Sequence, residues 1–94
     1  MADNDGMATA YHLISKITQW HHDRNLIESA TDKDQLAKLI QEMGELSDNI
    51  CKGNDIRDDI GDMLVVMINI MERNNITMEA VSYTHLTLPT ICSV

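Results

Sequence analysis

Two runs of apolar residues stand on either side of the four residues Cys51, Lys52, Gly53 and Asn54. The first is Leu36, Leu39, Ile40, Met43, Leu46 and Ile50; the second is Ile56, Ile60, Met63, Leu64, Met67, Ile68 and Met71. Spacing of three and four residues predicts an amphipathic helix for each run, and so short a connection forces the two helices to pack antiparallel. Thr31 or Asp32 is placed to cap the first helix, and Gly53 to end it in the left-handed conformation. Asn54 is the expected cap of the second, which should run to about Arg73. Upstream, Tyr11, Leu13, Ile14, Ile17 and Trp20 predict another helix over residues 8 to 23, and Thr77 starts one more short turn. The expected fold is all-α: an antiparallel hairpin within a small helical bundle.

Composition supports this reading. The chain has seven Met, one Trp, one Pro and no Phe, a mixture suited to helices filled by Leu, Ile and Met rather than to sandwich strands. Its 94 residues form one domain, small enough that a metal or partner subunit commonly helps to stabilise it, so completion of the bundle by oligomerisation is expected. A net charge of -8 with only seven Lys and Arg argues against nucleic acid as the main partner. The longest apolar run, Met63 to Ile68, falls far short of the roughly 20 residues that span a bilayer. Two cysteines, Cys51 and Cys92, make no disulfide framework, which fits a cytoplasmic, reducing compartment. Every Asp, Glu, Lys and Arg lies before Ser82. Residues 82–94 alternate Thr and Leu like a strand before Pro89, and read as a non-native or disordered tail after a helical domain at 1–81.

The chemistry lies in a repeated pattern, Glu42-Met-Gly-Glu45 and Asp59-Ile-Gly-Asp62. Residues three apart share a helix face, and the pairings of Glu45 with Asp59 and of Glu42 with Asp62 are both centred on residue 52 in the turn. Rungs about 4.5 Å apart, from a rise of 1.5 Å per residue, let the four carboxylates converge. Two such charges ~4 Å apart repel by about 4 kcal/mol at an effective dielectric of 20. Oxygen-only ligands favour a hard cation, Mg²⁺ or Mn²⁺, and the spacing suits two ions roughly 3.5 to 4 Å apart. Such ions keep phosphate oxygens in their shell. Gly44 and Gly61 are expected to allow close helix approach. A solvated acidic face that binds a basic protein is the non-enzymatic alternative.

Three segments carry a family resemblance: Trp20-His-His-Asp-Arg24-Asn25-Leu26, Lys38-Leu-Ile-Gln-Glu42-Met-Gly-Glu45-Leu46 and Asp59-Ile-Gly-Asp62-Met-Leu-Val-Val. Together they resemble the MazG-like nucleotide pyrophosphohydrolases of the all-α NTP pyrophosphatase group, over about residues 17 to 81. The resemblance implies Mg²⁺-dependent hydrolysis of nucleoside triphosphates, often non-standard or surplus deoxynucleotides, to monophosphate and pyrophosphate, in a homodimer or homotetramer. It makes Glu42, Glu45, Asp59 and Asp62 the metal ligands, with one of the glutamates orienting or deprotonating the attacking water. Two departures stand out. Asp59 occupies a position where Glu is frequent, so its shorter carboxylate reaches the metal through water, and the basic helix that usually follows residue 81 is replaced by the uncharged tail.

Other residues near these motifs are candidate substrate contacts. Lys38 shares a face with Glu42 and is suited to a triphosphate or to solvent. Asn69, two turns beyond Asp62 in an apolar stretch, needs a base edge or a neighbouring helix to satisfy its amide. Trp20 has core spacing and reads as packing or as a stacking surface. Arg24 and Asn25 are nucleotide contacts by resemblance only. His21 and His22 point to different faces and read as surface residues rather than a metal clamp. Cys51 has no neighbouring base within its motif, against a thiol nucleophile.

Overall fold

The computed structural model describes the backbone of residues 2–87 and the side chains of residues 9–83. It is all-α, with helices α1 (Ala2–Asp23), α2 (Asp32–Lys52), α3 (Arg57–Arg73) and α4 (Met78–Thr87). Helix α3 lies centrally, packing along α2 as the expected hairpin and against α1 on another side.

Local chemistry accounts for most of the boundaries. Thr31 Oγ1 accepts a hydrogen bond from the Asp34 amide at 3.1 Å, the cap that starts α2. Gly53 ends α2 with φ 72°, a backbone region where a Cβ would cost roughly 1–2 kcal/mol. Asn54 does not cap α3 as expected. That helix begins at Arg57 with no side-chain cap at Ile56; Asp55 Oδ1 accepts from the Arg57 amide instead, and the Asn54 amide turns back to Asn49 Oδ1 at 3.0 Å. Thr77 Oγ1 accepts from the Ala80 amide, starting α4 as the sequence predicts.

Helix α4 is longer than one turn and carries residues 82–87 in helical rather than strand-like form. The Thr/Leu alternation therefore does not set the conformation there, consistent with period-2 patterning needing a partner strand to act on. Among the described residues, α4 packs against none of the other three helices. The rest of the predicted tail, residues 88–94, lies outside the described residues.

The far end of the hairpin is tied by Asp32. Its two oxygens accept from Arg73 Nε at 2.9 Å and Asn74 Nδ2 at 3.1 Å, and these bonds hold its carboxyl below the ordinary range. Arg73 also donates to the Ile27 carbonyl, so one side chain fixes the α1–α2 connection against the end of α3.

The apolar interior is small. Val66 and Ile68 are the apolar residues of α3 that reach full burial, whereas Leu36, Ile40 and Met43 of α2 and Ile60, Leu64 and Met67 of α3 stay 38% to 60% exposed. None of the described helices is long and apolar enough to cross a membrane.

Candidate metal centre and adjoining cavity

Helices α2 and α3 bring Glu42, Glu45 and Asp62 together, with one carboxylate oxygen from each lying within 4.8 Å of the other two. Glu42 is buried, while Glu45 and Asp62 are exposed. Lys38, one turn earlier on α2, places Nζ 3.9 Å from Glu42 Oε1; Glu42 Oε2 is buried with no hydrogen-bond partner among the described residues. Desolvation, followed by the charges of Glu45 and Asp62, raises the Glu42 carboxyl above its ordinary value. A buried acceptor oxygen beside two further carboxylates is a high-energy arrangement for a bare protein. Three oxygen donors at this spacing are chemically suited to a hard divalent cation.

Asp59 is not in that group. It is buried, and Asn49 Nδ2 donates to both its oxygens, at 3.2 and 3.1 Å. The reason is the tilt of side chains toward the N-terminus of their own helix. In an antiparallel hairpin, residues of α2 lean away from the turn and residues of α3 lean toward it. Asp62 thus leans to the level of Glu42 and Glu45, whereas Asp59 leans past Glu45 to Asn49. Counting positions about residue 52 ignores this lean.

Gly44 and Gly61 do not serve the close helix approach expected of them. A Cβ at either would meet no atom within 4 Å.

Beside the acids, a cavity of about 240 Å³ is lined by Trp20, His21, Leu26, Gln35, Lys38, Val65, Val66 and Asn69. Three of the predicted substrate contacts, Trp20, Lys38 and Asn69, therefore share one space, and Lys38 links it to Glu42. A second, more apolar cavity of about 360 Å³, between Leu13, Lys16, Ile17, Trp20 and Val65, adjoins it through Trp20 and Val65; the four acids line neither cavity, and Lys38 is the link between the first and Glu42. Trp20 is 42% exposed, so it is not a core residue. The Arg24 guanidinium lies 4.4 Å from its ring centroid. Arg24 and Asn25 are not among the residues lining either cavity; Asn25 takes φ 55° in the turn after α1, where its carbonyl accepts from Ser29 Oγ.

Asn69 is 1% exposed, and its Nδ2 donates to His21 Nδ1 at 3.2 Å and to the Leu26 carbonyl at 3.3 Å. Its Oδ1 has no partner among the described residues. His21 is buried at 3% exposure, contrary to the surface placement expected of it. Its Nε2 donates to the Val65 carbonyl at 3.0 Å, which fixes the tautomer, because a carbonyl only accepts and Nδ1 must receive the Asn69 amide. The missed signal was its spacing: Ile14, Ile17 and His21 form one stripe. His22, as expected, is exposed, pairing with Glu72 at 2.6 Å.

Fold and side chains together define a small all-α protein with three carboxylates grouped on α2 and α3, joined through Lys38 to a mixed polar and apolar cavity. The chain is 43% identical, over 72 residues, to an uncharacterized 18.2 kDa protein from the rep-hol intergenic region of Haemophilus phage HP1 (strain HP1c1). That match covers 74% of this chain and 44% of the phage protein, so the chain spans less than half the length of its relative. No protein-family model and no solved structure matches it.

Proposed function

We propose that the chain is a Mg²⁺-dependent nucleoside triphosphate pyrophosphohydrolase, with Mn²⁺ as an alternative ion, acting on deoxynucleotides or non-standard nucleotides. The observation that carries this reading is the position of Lys38, which faces Glu42 of the carboxylate group and lines the cavity that also holds Trp20 and Asn69. A triphosphate has the complementary layout: oxygens for a cation and a lysine, and a flat heterocycle for a partly apolar cavity. Glu42, Glu45 and Asp62 are the residues to hold the ion. When bound, a divalent cation supplies neutralisation of phosphate charge and acidity to a coordinated water. Glu45, the more exposed glutamate, is suited to orient the water for attack on phosphorus. Lys38 steadies the phosphate chain, and Trp20 and Asn69 offer a ring and an amide to the base.

Assembly into a homodimer or homotetramer belongs to the same reading. The apolar stripes left open on α2 and α3 have the spacing to pack against a second hairpin as a four-helix bundle. Product analysis across a nucleotide panel tests the function: monophosphate plus pyrophosphate, formed only with Mg²⁺ or Mn²⁺, is expected. Binding of a basic protein without turnover of any nucleotide would favour the non-enzymatic interaction module instead.

A further inference from the structure

Asp59 already has two partners that do not involve a cation. It lies in the first turn of α3, where the helix dipole favours an anion, and both its oxygens accept from the Asn49 amide. Asn49 is itself held in one orientation. Its Oδ1 accepts from Asn54 Nδ2 at 3.0 Å, and its backbone carbonyl accepts from the Asn54 amide at 2.9 Å. Turning the Asn49 amide over would set its oxygen against the Asp59 carboxylate and its NH₂ against that of Asn54. The turn that closes the hairpin thus fixes Asn49, and Asn49 fixes Asp59.

Among the described residues, no hydrogen bond comparable to Asn49–Asp59 holds the other three acids: the Lys38 ammonium stands 3.9 Å from Glu42 Oε1, and the carboxylates of Glu45 and Asp62 are the other charged neighbours of Glu42. An ion at the centre of a triangle whose sides are at most 4.8 Å would need to draw each oxygen inward by less than about 1 Å to reach metal–oxygen distances of about 2.1 Å. The buried, unpartnered Glu42 Oε2 is an acceptor that such an ion would satisfy. A pair of ions about 3.5 to 4 Å apart would need further bridging oxygens, and Asn49 holds back the remaining carboxylate.

We propose that Asn49 is a positioning residue that keeps Asp59 outside the cation's coordination shell, so that the chain binds a single divalent ion through Glu42, Glu45 and Asp62. This rests on the metal-dependent reading above. The function of Asn49 is then to set the ion count: three carboxylates bind one ion, and the fourth contributes charge from a distance.

Titrating the full chain with Mn²⁺ alone, with free ion followed by electron paramagnetic resonance, counts the bound ions. Thermal melting of each variant checks that it is folded. Wild type should bind one Mn²⁺. Glu45→Gln should weaken binding more than tenfold, whereas Asp59→Asn, which keeps an oxygen for the Asn49 amide, should stay within about threefold of wild type. Asn49→Ala should free Asp59 and either tighten binding severalfold or admit a second ion. Two ions bound to wild type, a loss in Asp59→Asn as large as in Glu45→Gln, or unchanged binding in a folded Asn49→Ala would each overturn the proposal while leaving the metal-dependent reading intact. Wild type that binds no Mn²⁺ would overturn both.

Discussion

Replacing Asn69 by Leu tests how the cavity wall is held. The side chain is 1% exposed and joins three segments, because its amide donates to His21 on α1 and to the Leu26 carbonyl in the following turn. Leucine has nearly the same length and no donors, so two acceptors would be stranded at about 1–3 kcal/mol each. Against this, the Asn69 Oδ1 that now lacks a partner would disappear, recovering a similar amount once. The net expectation is a loss of about 2 kcal/mol, equivalent to roughly 8 to 16 °C in melting temperature for a domain of this size. Urea unfolding at one fixed protein concentration measures it, since self-association would otherwise shift the midpoint. Pairing Asn69→Leu with His21→Leu should cost less than the two single changes summed, by about 0.5 kcal/mol or more, because the second removes an acceptor stranded by the first. An Asn69→Leu protein within about 0.5 kcal/mol of wild type, or strict additivity, would refute the assigned hydrogen bonds.

Burial and the neighbouring carboxylates raise Glu42 above its ordinary 4.5, so its ionisation disfavours the folded state. The unfolded chain releases this proton first as pH rises. Without a divalent ion, the Glu42 contribution should therefore favour folding most in acid and decline as pH climbs through 4.5 to the raised folded value, a decline that Glu42→Gln abolishes in melting curves. Deleting residues 82–94 should leave the melting temperature nearly unchanged, since the described part of α4 packs on none of the other helices; a large loss would show that the tail is integral. Ile40→Glu, on the open stripe of α2, should reduce the mass measured by light scattering to that of a single chain, and an unchanged mass would place any interface elsewhere.

The hairpin was legible in the sequence because its signals agree at several levels. Apolar period, Thr31, Gly53 and the end near Arg73 all describe the same two helices, and that consistency marks a well-specified fold. The convergence of Glu42, Glu45 and Asp62 followed from register alone. What register misses is direction. Asp59 and Asn49 meet because side chains on antiparallel helices lean oppositely, an effect that helix wheels and counting from the turn both leave out. Asn54 has the residue type of a cap, yet the bond to Asn49 takes its side chain, and propensity gives way to that partner. His21 departs from expectation for a related reason: a polar residue on an apolar stripe is buried here because Asn69 and the Val65 carbonyl meet both its ring nitrogens. Gly44 and Gly61 mark no close contact, and nothing in the structure explains why they stand there.

Pyrophosphate release from deoxynucleoside triphosphates, measured on the full chain with and without Mg²⁺ and compared with Glu45→Gln, tests the central claim most directly. Stoichiometric pyrophosphate and monophosphate from wild type with Mg²⁺, none after chelation, and none from a folded Glu45→Gln protein are expected. Release that persists without a divalent ion, or a Glu45→Gln protein as active as wild type, would contradict it.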